Sequence, residues 1–479
     1  MKYNILKKKW IPMSDGQKYA LMECLEHAHE LERISCSSPL ETYALHRFLC
    51  AFVMDALQLP NKAARMTLLK QGRFDVTVFD AYIKRCEAEG VSFDLFDEKR
   101  PFMQAGYNVK YDTADKPVAA MISEVPHGNN HVFLEHKLEN EHALAFDEAF
   151  RKMLSLYTFC PSGGAGYSTS VNGTPCLYAT INGTSLFDTL LLNIVAIKEC
   201  GNLRYGVPSW RDISVRYPKE ETASIELLQG LTWLPRRINL ICSPNGLVER
   251  IFFTPGRNPP KSPLWRDPHV PYSLRKDGLF YPIIPEAGRS LWRDLGGMAV
   301  SKENRYGRQP QAIAAMPLDR QMCRITATGL VTVKGKATLV DTVCEEMLIP
   351  SNILNDEDHG EFLHRDLEFV EAIHRAIGKA FADKVAKPVI EDMQNSFLAS
   401  VRDYLFASYF EELSHCETDA DYVVLQENVE KNLLRCIYDM FERLSLRMGH
   451  DAKNIVLQST IQRNVLNGYY KLRRERSNE

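Results

Sequence analysis

The sequence predicts an α+β fold: a large mixed α/β N-terminal domain, residues 1–356, followed by a C-terminal four-helix bundle, residues 357–479. Three observations predict it. Up to about residue 355, proline and glycine are frequent, and short strand-like runs alternate with helical stretches. From Val389 to Met448 there is neither glycine nor proline. Apolar residues in that last part recur at steps of three and four, the spacing of a helix-bundle seam.

In chain order, Tyr3–Leu6 and Trp10–Met13 read as a short strand pair or extended entry, with a turn at Ser14-Asp15-Gly16. The first helix opens at Ser38-Pro39-Leu40-Glu41, where Ser38 is placed to cap, Pro39 suits the first turn and Glu41 completes a capping box. Leu45, Phe48, Leu49, Phe52 and Val53 continue it. A second helix is expected from about Asp75 to Glu89, stopped by Gly90. Cys176–Ile181 is strand-like and Asn182-Gly183 a turn. Ser185–Lys198 reads as a helix, and Arg237–Ile241 and Leu330–Val333 as strands. The bundle helices are expected at about 360–386, 390–415, 420–448 and 452–473. Leu363, Leu367, Val370, Ile377 and Phe381 form one stripe, and Val429, Leu433, Ile437, Met440 and Leu444 another.

Composition excludes several classes. The 479 residues carry a net charge of −3, which argues weakly against a free-standing protein that binds DNA by bulk electrostatics but leaves room for a local DNA contact inside a larger assembly. No segment approaches the roughly 20 apolar residues of a membrane span, and the N-terminus has no apolar run after its lysines, so no signal peptide is expected. The 12 cysteines form no CxxC pair and read as buried, reduced thiols of a cytoplasmic protein.

Catalytic motifs are missing. Gly329–Ala337 is the nearest approach to a phosphate loop, but its second glycine is one residue late and Ala337 stands where a hydroxyl is required. His127, His131, His136 and His142, with Glu135, Glu139 and Glu141 among them, lack the spacing of a metal site. A polar, solvated loop is the alternative to a metal cluster. No GxSxG elbow occurs. No catalytic residue, metal or cofactor is expected.

Six stretches, in order, resemble the large-subunit (CasA) family of type I-E CRISPR surveillance complexes. They are Asn4-Ile5-Leu6 with Trp10-Ile11-Pro12; Ser38–Glu41; Phe93–Phe96 with Arg100–Gln104; Ser162–Tyr167 leading to Asn172-Gly173-Thr174-Pro175; Leu264–Tyr272; and Ser290–Leu295. The resemblance covers essentially the whole chain. It implies a non-catalytic subunit of an RNA-guided complex called Cascade. Such a subunit recognises the PAM in double-stranded DNA and promotes strand separation and R-loop formation. The implied partners are the other Cascade subunits (the backbone, the small subunit and the subunit on the crRNA 5′ handle), the crRNA, target DNA, and a helicase–nuclease recruited in trans for antiviral defence. No membrane partner is implied.

The resemblance places PAM binding on the loop Ser162, Gly163, Gly164, Ala165 and Gly166, where missing side-chain bulk lets backbone amides approach a groove or cup a phosphate. A tight turn is the other reading of those residues. Lys276 is placed as a minor-groove donor, although Lys276-Asp277-Gly278 is also a hairpin-turn signal. Lys334, Gly335, Lys336 and Ala337 fall where the family carries a strand-parting wedge, with Lys336 in place of the usual glutamine. Asn130, His131, Phe133 and Leu134 fall on the loop that anchors the family to crRNA. Two competing readings are a helical-bundle adaptor without DNA reading and a metal-dependent hydrolase using the His127–His142 cluster.

Overall fold

The computed structural model describes residues 2–123, 142–161, 166–173, 175–201, 203–212, 224–259, 265–316, 321–333, 339–449 and 451–476. Helix α1 spans Leu21–Glu26, α2 Pro39–Leu57, α3 Lys62–Gln71, α4 Val76–Ala88, α5 Phe146–Phe159, α6 Leu186–Asn193, α7 Leu227–Leu231, α8 Gln311–Ala314 and α9 Ser351–Asn355. The bundle comprises α10 (Glu357–Phe381), α11 (Lys387–Tyr404), α12 (Phe410–Ser414), α13 (Asp419–Arg447) and α14 (Ala452–Arg476). A π-helical turn, Leu405–Tyr409, joins α11 to α12 into the single helix expected from sequence. The stripes on α10 and α13 are buried as expected.

The strands form small antiparallel sheets. β1 (Ile11–Pro12) pairs with β2 (Lys18–Tyr19). β3 (Asp115–Pro117), β5 (Arg236–Cys242) and β6 (Val248–Pro255) form a sheet ordered β3-β6-β5. β7 (Tyr272–Leu274), β8 (Phe280–Pro282) and β9 (Gly307–Arg308) are ordered β8-β7-β9. β4 (Tyr178–Asn182) pairs with β10 (Met322–Thr332), which turns back into β11 (Leu339–Pro350). The Gly329–Thr332 stretch is therefore continuous strand, not the loop of a nucleotide site.

Helix α2 is buried along almost its whole length, because its apolar residues cover more than one face. It sits in a first core with α4, α5, α6 and the loops around Trp210 and Trp265. A second core joins the bundle to β4, β10, β11 and the 3₁₀ segment Leu291–Gly297. Arg293 in that segment grips Glu371 of α10 at 2.7 and 2.9 Å, and Arg289 reaches the same carboxylate at 3.3 Å. The tripeptide Trp-Arg-Asp occurs twice, at Trp265–Asp267 and Trp292–Asp294, and its two tryptophans serve different cores, the first and the second.

Three local expectations are corrected. The capping box at the start of α2 does not form: the Ser38 side chain makes no cap hydrogen bond, and the Glu41 carboxylate is drawn to Lys152 at 2.7 Å and Arg151 at 3.3 Å instead of back to the Ser38 amide. The helix expected over 185–198 ends at Asn193, whose amide bonds the Ile181 backbone of β4 in both directions, at 2.9 and 2.7 Å. Nine of the cysteines are buried, but Cys36 and Cys242 are partly exposed and Cys344 is exposed. Among the described residues, no helix is long and apolar enough to cross a membrane.

Candidate nucleic-acid interface

Of the glycine loop, Ser162, Gly163, Gly164 and Ala165 lie outside the described residues; Gly166 does not, and it holds φ at +84°, a left-handed conformation that glycine adopts without strain. The stem on either side is tightly held. Helix α5 ends at Phe159, and the Ser170 amide donates to Cys160 O at 2.9 Å, closing the loop's base. Arg236, the first residue of β5 and only 3 % exposed, spans the two sides. Its guanidinium donates to Pro161 O at 3.0 Å before the loop and to Ser168 O at 2.5 Å after it. The same group lies 5.0 Å from the Tyr167 ring centroid, and Lys116 lies 5.4 Å from that ring. Two cations and the stacked Tyr167–Phe253 pair thus flank the loop's exit. A cationic stem of this kind suits an anionic partner.

Beyond the stem, Asn172 connects to the Trp265–Tyr272 stretch. Its amide donates to Asp267 at 2.8 Å and accepts from Trp265 Nε1 at 2.8 Å. Asp267 is wholly buried and pairs with Arg47 of α2 at 2.7 Å. Burial alone would push this carboxyl up; Arg47 and Asn172 outweigh it and hold it below the usual carboxylate range. Arg47 also donates to Leu231 O and Gly230 O. Gly230 has to be glycine, since a Cβ there would stand 2.3 Å from the Trp265 ring. His269, its own pKa lowered by burial, links Tyr43 at 3.0 Å to Asn193 O at 2.8 Å. The ring donates to the Asn193 carbonyl and accepts from the Tyr43 hydroxyl, which sets its neutral tautomer.

Lys276 sits at the tip of the β7–β8 hairpin, so the turn reading and the exposed-lysine reading describe the same place. Gly278, at φ +76°, closes the turn by donating to Arg275 O at 2.9 Å. Asp277 is occupied within the turn by the Leu279 amide and the Tyr281 hydroxyl, and Arg275 stacks 4.0 Å over the Tyr281 ring. Lys276 is exposed and has no hydrogen bond or ion pair among the described residues. Lys334, Gly335, Lys336 and Ala337 lie outside the described residues, on the connection between β10 and β11.

A third, small hydrophobic cluster ties these three loops together. It contains Phe159 from the glycine-loop stem, Tyr272 from the Lys276 hairpin with Val270 just before it, and Leu330 from the β10–β11 hairpin, seated on Leu40, Tyr43, Cys176 and Tyr178. Phe280 and Leu339, on the return strands of the two hairpins, pack against it. Tyr43 stacks on Tyr178 at 4.5 Å, and Phe159 meets Tyr178 edge-on at 5.3 Å. Asn130, His131, Phe133 and Leu134 lie outside the described residues, as do His127 and His136. The segments flanking that loop, Met121-Ile122 and Leu144, belong to the first core and not to the third cluster.

Sequence reasoning missed Arg236, Lys116 and Arg47. The one available signal was Arg236-Arg237 opening a largely apolar strand, where two adjacent charges demand buried partners. Arg237 finds Asp112 at 3.2 Å.

The sequence profile of the family described as CRISPR-associated protein Cse1 matches residues 4–440. The CRISPR-associated protein CasA/Cse1 of Thermus thermophilus is 27% identical over 409 residues, 81% of this chain and 79% of that protein. A crystal structure of a CRISPR-associated protein from the same organism superposes with a TM-score of 0.76 at 20% identity, covering 98% of this chain and 100% of that one. A chain of a CRISPR RNA-guided surveillance complex gives a TM-score of 0.72 at 20% identity, covering 92% and 99%. With the profile spanning nearly the whole sequence and the fold shared end to end, the chain belongs to the CRISPR-associated Cse1 (CasA) family, the large subunits of type I-E Cascade.

Proposed function

We propose that this chain is the non-catalytic large subunit of an RNA-guided CRISPR surveillance complex. In this reading, residues 1–356 recognise the PAM in double-stranded DNA and promote strand separation and R-loop formation. The bundle, residues 357–479, helps recruit a helicase–nuclease acting in trans. The complex works in the cytoplasm. Its remaining subunits and the crRNA supply the bulk electrostatics and sequence specificity that a chain of net charge −3 lacks.

The observation that carries this reading is the third hydrophobic cluster, which roots the glycine loop, the Lys276 hairpin and the β10–β11 hairpin in one set of side chains. Stems rooted together would let the loops they carry engage one stretch of duplex at once. Ser162 to Gly166 would bring backbone amides to the groove, Lys276 would donate to minor-groove acceptors, and Lys336 would hold a phosphate of the parted strands. Asn130, His131, Phe133 and Leu134 would anchor the subunit to crRNA, with Phe133 stacking on a base or filling a partner pocket.

The test is Gly164→Asp. A carboxylate there adds bulk and like charge toward DNA at a cost to folding of about 1 kcal/mol. Reconstituted complex is titrated with three DNAs: correct PAM, mutated PAM, and a pre-opened bubble. The variant should lose binding to the correct-PAM duplex and recover part of it on the bubble. A variant that still separates correct from mutated PAM as well as wild type would remove the glycine loop from the reading.

A further inference from the structure

A second feature, independent of PAM reading, lies between the bundle and the 3₁₀ segment Leu291–Gly297. There a cavity of about 510 Å³ has five arginines on its wall: Arg289, Arg293, Arg365, Arg375 and Arg476. Its carboxylates are already matched. Glu371 is held by Arg293 and Arg289, Asp294 by Arg289 at 2.9 Å, Glu368 by His364 at 3.3 Å, and Glu475 by Lys471 at 3.7 Å. Three guanidiniums on the wall keep donors to spare.

Arg476, at the end of α14, is 8 % exposed; it pairs with Asp366 through one nitrogen, while Nε and Nη1 are buried without a hydrogen-bond partner. Asp366 is itself shared with the Tyr409 hydroxyl at 2.8 Å, so it cannot serve the remaining nitrogens. Arg365 stacks over Phe362 at 4.1 Å, and its Nε and Nη2 are likewise buried and unpartnered. Arg375 stands exposed at the rim. A buried guanidinium N–H without an acceptor costs free energy, and four such nitrogens on two residues that line one cavity are what an anion there would satisfy. The guanidinium fork matches the geometry of phosphate oxygens, and the volume falls within the roughly 300–1,000 Å³ of small-molecule sites. Tyr306 and His364, stacked at 3.6 Å, add an aromatic wall.

We infer that this cavity binds a small phosphate-bearing anion, held chiefly by Arg365 and Arg476. Its occupant would join α10 and α14 to the segment that carries Arg289 and Arg293, so binding stiffens the contact between bundle and N-terminal part.

The full chain is titrated with pyrophosphate, by calorimetry and by thermal midpoint, against sodium chloride matched for ionic strength. Pyrophosphate should bind and raise the midpoint beyond the chloride control. Arg365→Gln should weaken binding by about tenfold or more, the loss of one charge-assisted donor pair. Arg365 has no ion-pair partner among the described residues, so this change strands no buried carboxylate. If that variant fails to fold, Arg375→Gln at the rim replaces it, with a severalfold weakening expected. The inference is overturned if wild type shows no binding beyond the salt control, or if the folded variant binds pyrophosphate as wild type does. It is also overturned if a single-stranded oligonucleotide displaces pyrophosphate from wild type and loses that ability in Arg365→Gln, which would assign the cavity to a nucleic-acid backbone.

Discussion

Arg236 offers the sharpest test of how the glycine loop is held. Its guanidinium bonds Pro161 O on one side of the loop and Ser168 O on the other. A charged donor to a carbonyl contributes about 1.5–3 kcal/mol when its loss leaves a buried partner unpaired. Lysine keeps the charge but is a point donor and cannot bridge both carbonyls with a rigid fork. Arg236→Lys should therefore cost the stem about 2 kcal/mol, and Arg236→Met, which loses both bonds, about 4 kcal/mol. A loss of 2 kcal/mol raises the open population of the stem by about thirtyfold. The Ser170 amide, bonded to Cys160 O at 2.9 Å, reports that opening directly through hydrogen exchange. Its exchange should accelerate by that factor in Arg236→Lys while amides in the middle of α2 keep their protection. Target affinity of the reconstituted complex should fall by no more than the same factor, because only the closed stem presents the loop. Unchanged Ser170 exchange, or an equal acceleration across α2, would refute the idea that Arg236 acts as a local clamp.

Three further outcomes follow from the same interactions. Asp267→Asn or Arg47→Met alone should destabilise the chain by about 3–5 kcal/mol, since each strands a buried charge, whereas the double change should cost clearly less than the sum in a denaturant-melt cycle. His46 is buried beside His269, and burial lowers its pKa to about 3, below the 6.5 of an unfolded histidine. The unfolded state therefore takes up a proton that the folded state refuses, so stability falls as pH drops below about 6.5 toward 3. His46→Leu should flatten that slope in unfolding titrations, and an unchanged slope would refute its assignment. Phe133→Ala should reduce co-purification with the crRNA-bound remainder of the complex while the thermal midpoint of the isolated subunit stays within about 1 kcal/mol equivalent of wild type.

Local patterns carried the parts of the fold that depend on local forces. The bundle helices follow from uninterrupted helical periodicity between a few breakers, and the Leu363–Phe381 and Val429–Leu444 stripes pack as their spacing requires. The β7–β8 turn was readable for the same reason: Lys276-Asp277-Gly278 acts over a handful of residues. The candidate loops were also visible, though through resemblance to a family more than through chemistry of their own.

Tertiary structure decided what these local signals compete with. Glu41 abandons its capping box because two cations of α5 reach it, and the helix after Ser185 stops where the Asn193 amide finds the edge of β4. The Arg236 clamp, the Arg47–Asp267 pair and the cluster of Phe159, Tyr272 and Leu330 each unite segments far apart in the chain. No spacing rule records such meetings. A buried charge dictates that it must have a partner, but which partner depends on where folding brings every other segment, and that is settled only when the cores close.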